Sequence, residues 1–355
     1  MPRPSAKGGR FSRLLRLLTL TLAVGYPIAL ACVALLLRFV GEQWWVTLVA
    51  MYLPRAGWAL PLPIVIGAIM VWGDRRLLLL QLVSVAIVVF PLMGLQLGWL
   101  RSTATPDGPL LRVVSYNVRS QQLSGPGLLA QIRLFAPDLV LLQELQASPG
   151  KALPKDFDGW STRHDGQFFV ASRYPIRETY LPPGISYGKR GGGGAHYVKY
   201  TIEMPFGLVD VFNVHTTSPR EGLEEVRGNG VREEIKSGRL FAGAAAGLVE
   251  FNALRRGRQI ELMSRVASAS PHPVIIGGDT NLPGLSWAFA RHLGGFRDGF
   301  ESAGVGLGYT YPAARGWLRI DRILTNDKLR TVEFRVGDSV ASDHHAVFAL
   351  LAGER

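Results

Sequence analysis

Glu144, Asp279, Asn281, Asp321, Asp343 and His344 are the residue types that bind a hard divalent cation and move a proton beside an oxyanion. They fall in five short blocks. Val113–Val118 carries Asn117, Asp138–Glu144 ends in Gln143-Glu144, and Val211–His215 ends in Asn213-Val214-His215. Val274–Asn281 ends in Gly277-Gly278-Asp279-Thr280-Asn281, and the last block is split between Ile320–Ile323 and Ala341–His344. Each block is a short aliphatic or β-branched run with polar residues attached, which reads as a buried strand with a functional end. Strand ends are where an α/β sheet offers side chains to a shared cleft. Asp279 and Asn281 are two apart and share a face of an extended segment. Asp343 and His344 are adjacent and point to opposite sides. Mg²⁺ is satisfied by one or two carboxylates plus water and substrate oxygens, so a single glutamate at 144 is chemically enough to recruit it. No Cys/His spacing suggests zinc, and no Gly-x-Ser-x-Gly suggests a serine hydrolase.

The order and spacing of these blocks, over roughly residues 110 to 352, resembles the endonuclease/exonuclease/phosphatase superfamily. That superfamily includes DNase I-like nucleases, inositol-polyphosphate phosphatases and neutral sphingomyelinases. The resemblance implies a two-sheet α/β sandwich and a Mg²⁺-dependent phosphoester hydrolase, with Mn²⁺ as a substitute. It implies a metal side made of Glu144, Asn117 and Asp343. Asp279 is expected to orient or deprotonate the attacking water and Asn281 to hydrogen-bond the phosphoryl oxygen. His344 and His215 are expected at the scissile phosphate, with Asp321 orienting His344. His345 matches a variable position and is expected at the surface or in packing; His164, His196, His272 and His292 fit no block. Gly277 and Gly278 are expected to let backbone and phosphate come close.

Three softer features lie on the substrate side. Lys189-Arg190 before four glycines makes a cationic loop or a plain hairpin tip. Tyr309-Thr310-Tyr311-Pro312 resembles a family segment that lines the cleft. Residues 219–247 form a long mixed insertion before a predicted amphipathic helix at 249–267, either a lid or a surface insertion.

The sandwich needs only about 245 residues, from 109 onward, after a turn-rich linker at 101–108. The region before it carries three apolar runs, 17–37, 56–72 and 77–100, read as transmembrane helices. Of the formal charge of +12, residues 1–108 hold 10 Lys/Arg against 3 Asp/Glu, a net of +7, and the rest a net of +5. Most of the excess is therefore topogenic, and the catalytic region is only mildly basic. Arg3, Lys7, Arg10, Arg13, Arg16, Arg75 and Arg76 lie on one side of the runs, and Arg38, Arg55 and Arg101 on the other. This bias puts the N-terminus in the cytoplasm and, with three spans, the C-terminal region outside it. The lone Cys32 lies in the first run, so the outer region forms no disulfide.

Three spans followed by an outward region of this kind look like the bacterial membrane phosphatases associated with glycopeptide resistance, which act on undecaprenyl pyrophosphate. The expected partner is a membrane lipid or lipid-linked phosphate, with nucleic acid as the lesser alternative and a sphingomyelinase-like activity also open. A catalytically silent scaffold is disfavoured because every expected position is filled.

Overall fold

The computed structural model describes residues 6–98, 108–121, 123, 127–146, 155–186, 193–220, 222–223, 244–338 and 341–354. The chain begins with a helical bundle. Helix α1 spans Ala6–Phe39, α2 Trp45–Tyr52, α3 Leu62–Trp72 and α4 Leu77–Ile87, the last continued by a π turn at Val88–Leu92. Pro61 caps α3 and Pro63 sits in its first turn, where a missing N–H costs nothing. These prolines start α3, directly after a 3₁₀ turn at Arg55–Ala59. Two stretches, Gly9–Phe39 and Arg55–Trp72, are long and apolar enough to cross a membrane. The third run is shorter than the sequence suggests: its helix stops at Leu92, next to Pro91 and before Gly94 at φ 80°. Trp99 and most of the 101–108 linker lie outside the described residues.

The bundle folds back on itself twice. Tyr26 donates to the Trp58 carbonyl at 2.6 Å, Gly73 packs against Thr19, and Gln81 Nε2 donates to the Ala23 carbonyl at 2.9 Å. The α3–α4 turn therefore lies beside residue 19, near the N-terminal part of α1. The far ends, residues 40–55 and 92–96, meet the catalytic region. Glu42 accepts hydrogen bonds from Ser286 Oγ and from the Trp287 and Ala288 amides, Gln96 pairs with Gly306, and Tyr309 donates to the Met93 carbonyl. Leu37, Leu48, Met51 and Leu92 share one apolar cluster with Val249, Leu318 and Ile320. The bundle is thus docked on the catalytic region through a common core, where the sequence suggested a tether.

The catalytic region is two six-stranded mixed sheets with helices, a DNase I-like α/β sandwich. Its strands are β1 Leu110–Asn117, β2 Leu139–Gln143, β3 Ser161–Asp165, β4 Phe168–Ser172, β5 Ile176–Tyr180 and β6 Tyr197–Met204. They continue with β7 Gly207–His215, β8 Val274–Asp279, β9 Arg297–Asp298, β10 Asp321–Thr325, β11 Leu329–Val336 and β12 Val347–Gly353. One sheet runs β11-β12-β1-β2-β4-β3 and the other β5-β6-β7-β8-β10-β9. The facing sides bury Val113, Leu139, Leu141 and Val170 against Val209, Val211, Ile275 and Ile323. Helix α5 covers Leu128–Leu134, α6 Ala244–Ser268, α7 Trp287–Leu293 and α8 Gly299–Ala303.

Strand direction gathers the polar ends. The pairs β1–β2 and β7–β8 are parallel, so Asn117, Glu144, His215 and Asp279 leave the sheets at one end. The antiparallel β10 starts there, with Asp321 opposite Asp279, and β12 starts there opposite Ser115. Gly277 and Gly278 serve packing rather than ligand approach. A Cβ on Gly277 would lie 2.5 Å from Leu141 Cδ1 in the other sheet, and one on Gly278, at φ 147°, would lie 1.9 Å from the Val214 carbonyl.

Candidate active site

The strand ends surround a cleft of about 560 Å³. Glu144 follows β2 with φ 54°, a left-handed conformation that costs a non-glycine residue energy and here turns its carboxylate into the cleft. Asn117, at the end of β1, is fully buried, and its amide nitrogen donates to Glu144 Oε1 at 3.0 Å and Asp279 Oδ2 at 3.1 Å. His215, at the end of β7, places Nε2 3.3 Å from Glu144 Oε1 and 3.8 Å from Asp279 Oδ2. Its Nδ1 lies 2.6 Å from Gln167 Oε1.

Across the cleft, His344 Nδ1 donates to Asp321, 2.9 Å from Oδ2 and 3.2 Å from Oδ1, and its Nε2 faces Asp279 Oδ2 at 3.8 Å. Burial alone pushes the imidazole pKa down, but the charges of Asp321 and Asp279 outweigh it and raise the value to about 10. His344 is therefore a cation throughout the neutral range. The Asp279 carboxyl also moves up: burial first, then the charge of Asp321, raise its pKa against the pull of His344 and His215. A carboxylate made more basic beside a fixed cation is the pairing that water activation requires. The Tyr311 ring packs 4.8 Å from that of His344.

Asn281, with φ 50°, uses its side-chain amide inward, on the Thr216 carbonyl at 3.0 Å and Asp279 Oδ2 at 3.3 Å. In this arrangement it orients Asp279 and keeps no amide hydrogen for a phosphoryl oxygen. Asp343 points away from His344, toward Arg119 Nε at 3.4 Å and Arg220 Nη2 at 3.7 Å. Arg220 also donates to the Tyr311 hydroxyl at 3.3 Å. The structure thus brings Asn117, Glu144, His215, Asp279, Asn281, Asp321, Asp343 and His344 to one place.

A divalent cation fits this donor set. Glu144 and Asp279 share one neutral amide donor, which brings two carboxylate groups together at one side of the cleft. An amide nitrogen is no metal ligand, so Asn117 must present its oxygen when a cation is bound. Asp279, Asp321 and His344 also bring ligand atoms within 4.8 Å of one another. That trio has a second explanation, because His344 Nδ1 and both Asp321 oxygens are already joined by hydrogen bonds. The oxygen-rich rim of Glu144 and Asp343 suits a hard ion better.

Other features fall away from the site. His345 is not among the cleft-lining residues, and its amide donates to the Thr310 carbonyl. His196 is buried, and burial lowers its pKa to about 4. His164 is exposed, while His272 and His292 are half-buried away from the cleft. Of the Tyr309–Pro312 segment, Tyr311 and Pro312 line the cleft. Lys189, Arg190 and most of the 219–247 insertion lie outside the described residues. The sequence reading missed Gln167, Arg119, Arg220, Trp317 and Tyr52. Gln167 lies in the β3–β4 turn and carries no signal of its own. Arg119 is two residues beyond Asn117 and was findable by proximity.

Among solved structures the chain is similar to an endonuclease/exonuclease/phosphatase from Beutenbergia cavernae DSM 12333, at 19% identity over 69% of this chain and 72% of that one, with a TM-score of 0.46. It is also similar to the 3′ phosphatase NExo from Neisseria, at 18% identity over 69% of this chain and 100% of that one, TM-score 0.48. An AP endonuclease from Archaeoglobus fulgidus matches at 15% identity over 69% of this chain and 100% of that one, TM-score 0.46. A search of curated proteins finds no match. The family model described as Endonuclease/Exonuclease/phosphatase family matches residues 114–344. That interval runs from β1 to His344 and takes in every strand end that meets at the cleft, so the chain belongs to the endonuclease/exonuclease/phosphatase family and is a metal-dependent phosphoric ester hydrolase.

Proposed function

We propose that the protein hydrolyses a phosphate ester or pyrophosphate carried by a membrane lipid, such as a polyprenyl pyrophosphate, at the outer face of the membrane. The observation that carries this reading is the composition of the cleft. One wall is charged, with Arg119, Glu144, Arg220 and Asp343. The other is apolar or aromatic, with Tyr52, Leu223, Trp317, Leu318 and Ile320, and it belongs to the same cluster that joins the helical bundle to the catalytic region. A substrate with a phosphate at one end and a hydrocarbon at the other matches both walls. The outward surface of the bundle supports the membrane setting: Leu60 is 76% exposed, Ile64 70% and Leu79 69%. Exposed apolar surface of that extent is what contact with a membrane would cover.

Glu144, Asn117 and Asp343 would hold the metal, Mg²⁺ or Mn²⁺, which when bound neutralises charge on the phosphoryl oxygens. Asp279 accepts the proton of the attacking water, held in place by Asn117 and Asn281. His344, fixed by Asp321, faces the phosphoryl group as a donor of a hydrogen bond and positive charge, and His215, oriented by Gln167, lines the same part of the cleft. Positioning and charge are what phosphoryl transfer asks of a protein.

The test uses full-length protein in detergent. It should release phosphate from a polyprenyl pyrophosphate faster than it nicks plasmid DNA at matched enzyme concentration. Chelation should abolish release and Mg²⁺ should restore it. Plasmid degradation without phosphate release from the lipid would overturn the lipid reading in favour of a nuclease, and full activity in excess chelator would remove the metal.

A further inference from the structure

Tyr52 ends α2, in the helical region, yet it lines the catalytic cleft. Its side chain is buried, and its hydroxyl donates to the backbone carbonyl of Asn281 at 2.7 Å, across 229 residues of chain. Asn281 sits in a left-handed backbone conformation, which asparagine tolerates better than most residues and which its hydrogen bonds hold in place. Three of its restraints come from the catalytic region itself: its N–H donates to Asp279 Oδ1 at 2.8 Å, and its amide bonds to Thr216 and to Asp279 Oδ2. The fourth is Tyr52.

The grip continues on both sides. The Tyr52 carbonyl accepts the Trp317 indole N–H at 3.1 Å, so a second wall residue is fixed by the same tyrosine. Seven residues past Asp279, Glu42 accepts the Ser286 hydroxyl and closes the start of α7 through the Trp287 and Ala288 amides. Residues 279–288 are therefore held at one end by Tyr52 and at the other by Glu42. An anchor alone needs no contact with the catalytic loop. Attachment through the apolar cluster and the Gln96–Gly306 pairing would serve.

We infer that Tyr52 is a positioning residue for phosphoester hydrolysis: it fixes Asn281, and through Asn281 the Asp279 carboxylate, so the active site is complete only with the N-terminal helical region docked. The inference rests on Asp279 as the proton acceptor of the proposed reaction and not on which phosphoester is cleaved.

The experiment compares full-length wild type, Tyr52→Phe and Tyr26→Phe in detergent. Tyr26→Phe removes a like tyrosine-to-carbonyl bond inside the bundle, from Tyr26 to Trp58. Hydrolysis is measured with Mg²⁺ on bis(p-nitrophenyl) phosphate and, in parallel, on a polyprenyl pyrophosphate, and amide hydrogen exchange is followed over residues 280–285. Tyr52→Phe should lower kcat about tenfold on either cleaved substrate with KM nearly unchanged, as expected for one lost orienting hydrogen bond. Exchange at 280–285 should quicken. Tyr26→Phe should match wild type in both readouts. Wild-type kcat and exchange in Tyr52→Phe, a loss confined to KM, or equal losses in Tyr26→Phe would each overturn the inference. Cleavage of the diester but not the lipid, with the Tyr52→Phe loss intact, sinks the lipid reading and leaves this inference standing. If wild type cleaves neither, the exchange readout alone decides the positioning.

Discussion

Two upward pKa shifts, one on the histidine and one on the carboxylate at the centre of the cleft, set what each can do. His344 is held as a cation by Asp321 and Asp279, while Asp279 is made more basic by burial and by Asp321. His344→Ala and Asp279→Asn should each lower kcat on the order of 10²-fold or more, the scale of a lost positioned base or charge donor. Asp321→Asn should cost less than His344→Ala. The double variant should cost little more than His344→Ala, because the two act as one unit joined at 2.9 Å. A double-mutant cycle on steady-state rates checks this, and additive losses would separate the pair. The raised pKa of His344 also makes a stability statement. A group whose folded value exceeds its unfolded value, about 6.5 for histidine, contributes stability that is fully present below 6.5. That contribution is lost as the pH rises through the folded value of about 10. The melting-temperature advantage of wild type over His344→Gln should therefore shrink between pH 6.5 and 10; a constant advantage across that window contradicts the assigned cation. Most of these residues were legible in the sequence because the chemistry dictates their types and each stands at the end of its own aliphatic run. Gln167 and Tyr52 were not, since an isolated glutamine or tyrosine announces nothing until tertiary structure brings it to His215 or Asn281.

Strands place these side chains, and their legibility follows from burial on both faces. Residues 139–143 and 274–279 are buried throughout, so they read as unbroken aliphatic runs. The exposed β3 and β5 have no such run and gave no signal. Within β8 the glycine pair was visible but its purpose was not. Gly277 allows the other sheet to approach through Leu141, and Gly278 holds a conformation that excludes a side chain, against the Val214 carbonyl. Gly278→Ala should therefore lower stability by more than the ~1–3 kcal/mol typical of overpacking, because a backbone carbonyl cannot move aside as a leucine methyl can. Gly277→Ala should fall within that range. Equilibrium unfolding in urea checks the order of the two variants, and equal or negligible losses would show that the sheets shift more freely than this packing allows. The helical elements were legible as apolar runs, whereas α2 and the early end of the third run were not. Both depend on docking: α2 buries Leu48 and Met51 in the cluster shared with the catalytic region, and the chain after Leu92 turns away to pair Gln96 with Gly306.

At the scale of the whole molecule, the placing of basic residues at the two ends of the bundle supports the proposed orientation. From Thr19 to Phe39 helix α1 rises about 30 Å at 1.5 Å per residue, close to the thickness of a bilayer's hydrocarbon core. The contact of Gly73 with Thr19 puts the α3–α4 turn, with Arg75 and Arg76, at the same end of the bundle as Arg10, Arg13 and Arg16. At the other end Arg55 is turned inward, donating to the Leu92 and Met51 carbonyls where two helical segments finish. That arginine caps helices and contributes little to a surface charge bias, so the asymmetry between the two ends is larger than a count along the sequence suggests. In the proposed orientation, basic residues retained on the cytoplasmic side put the cleft on the outer side. Helix α4 is short for a span, but the turn before it lies beside residue 19 of α1 and its far end meets the catalytic region, and the proposed topology counts it as a third pass. A reporter active only outside the cytoplasm should give signal when fused after Arg355 and none when fused after Arg75. Signal at Arg75 with silence at Arg355 would invert the molecule, put the cleft in the cytoplasm, and remove an outer-leaflet lipid as its substrate.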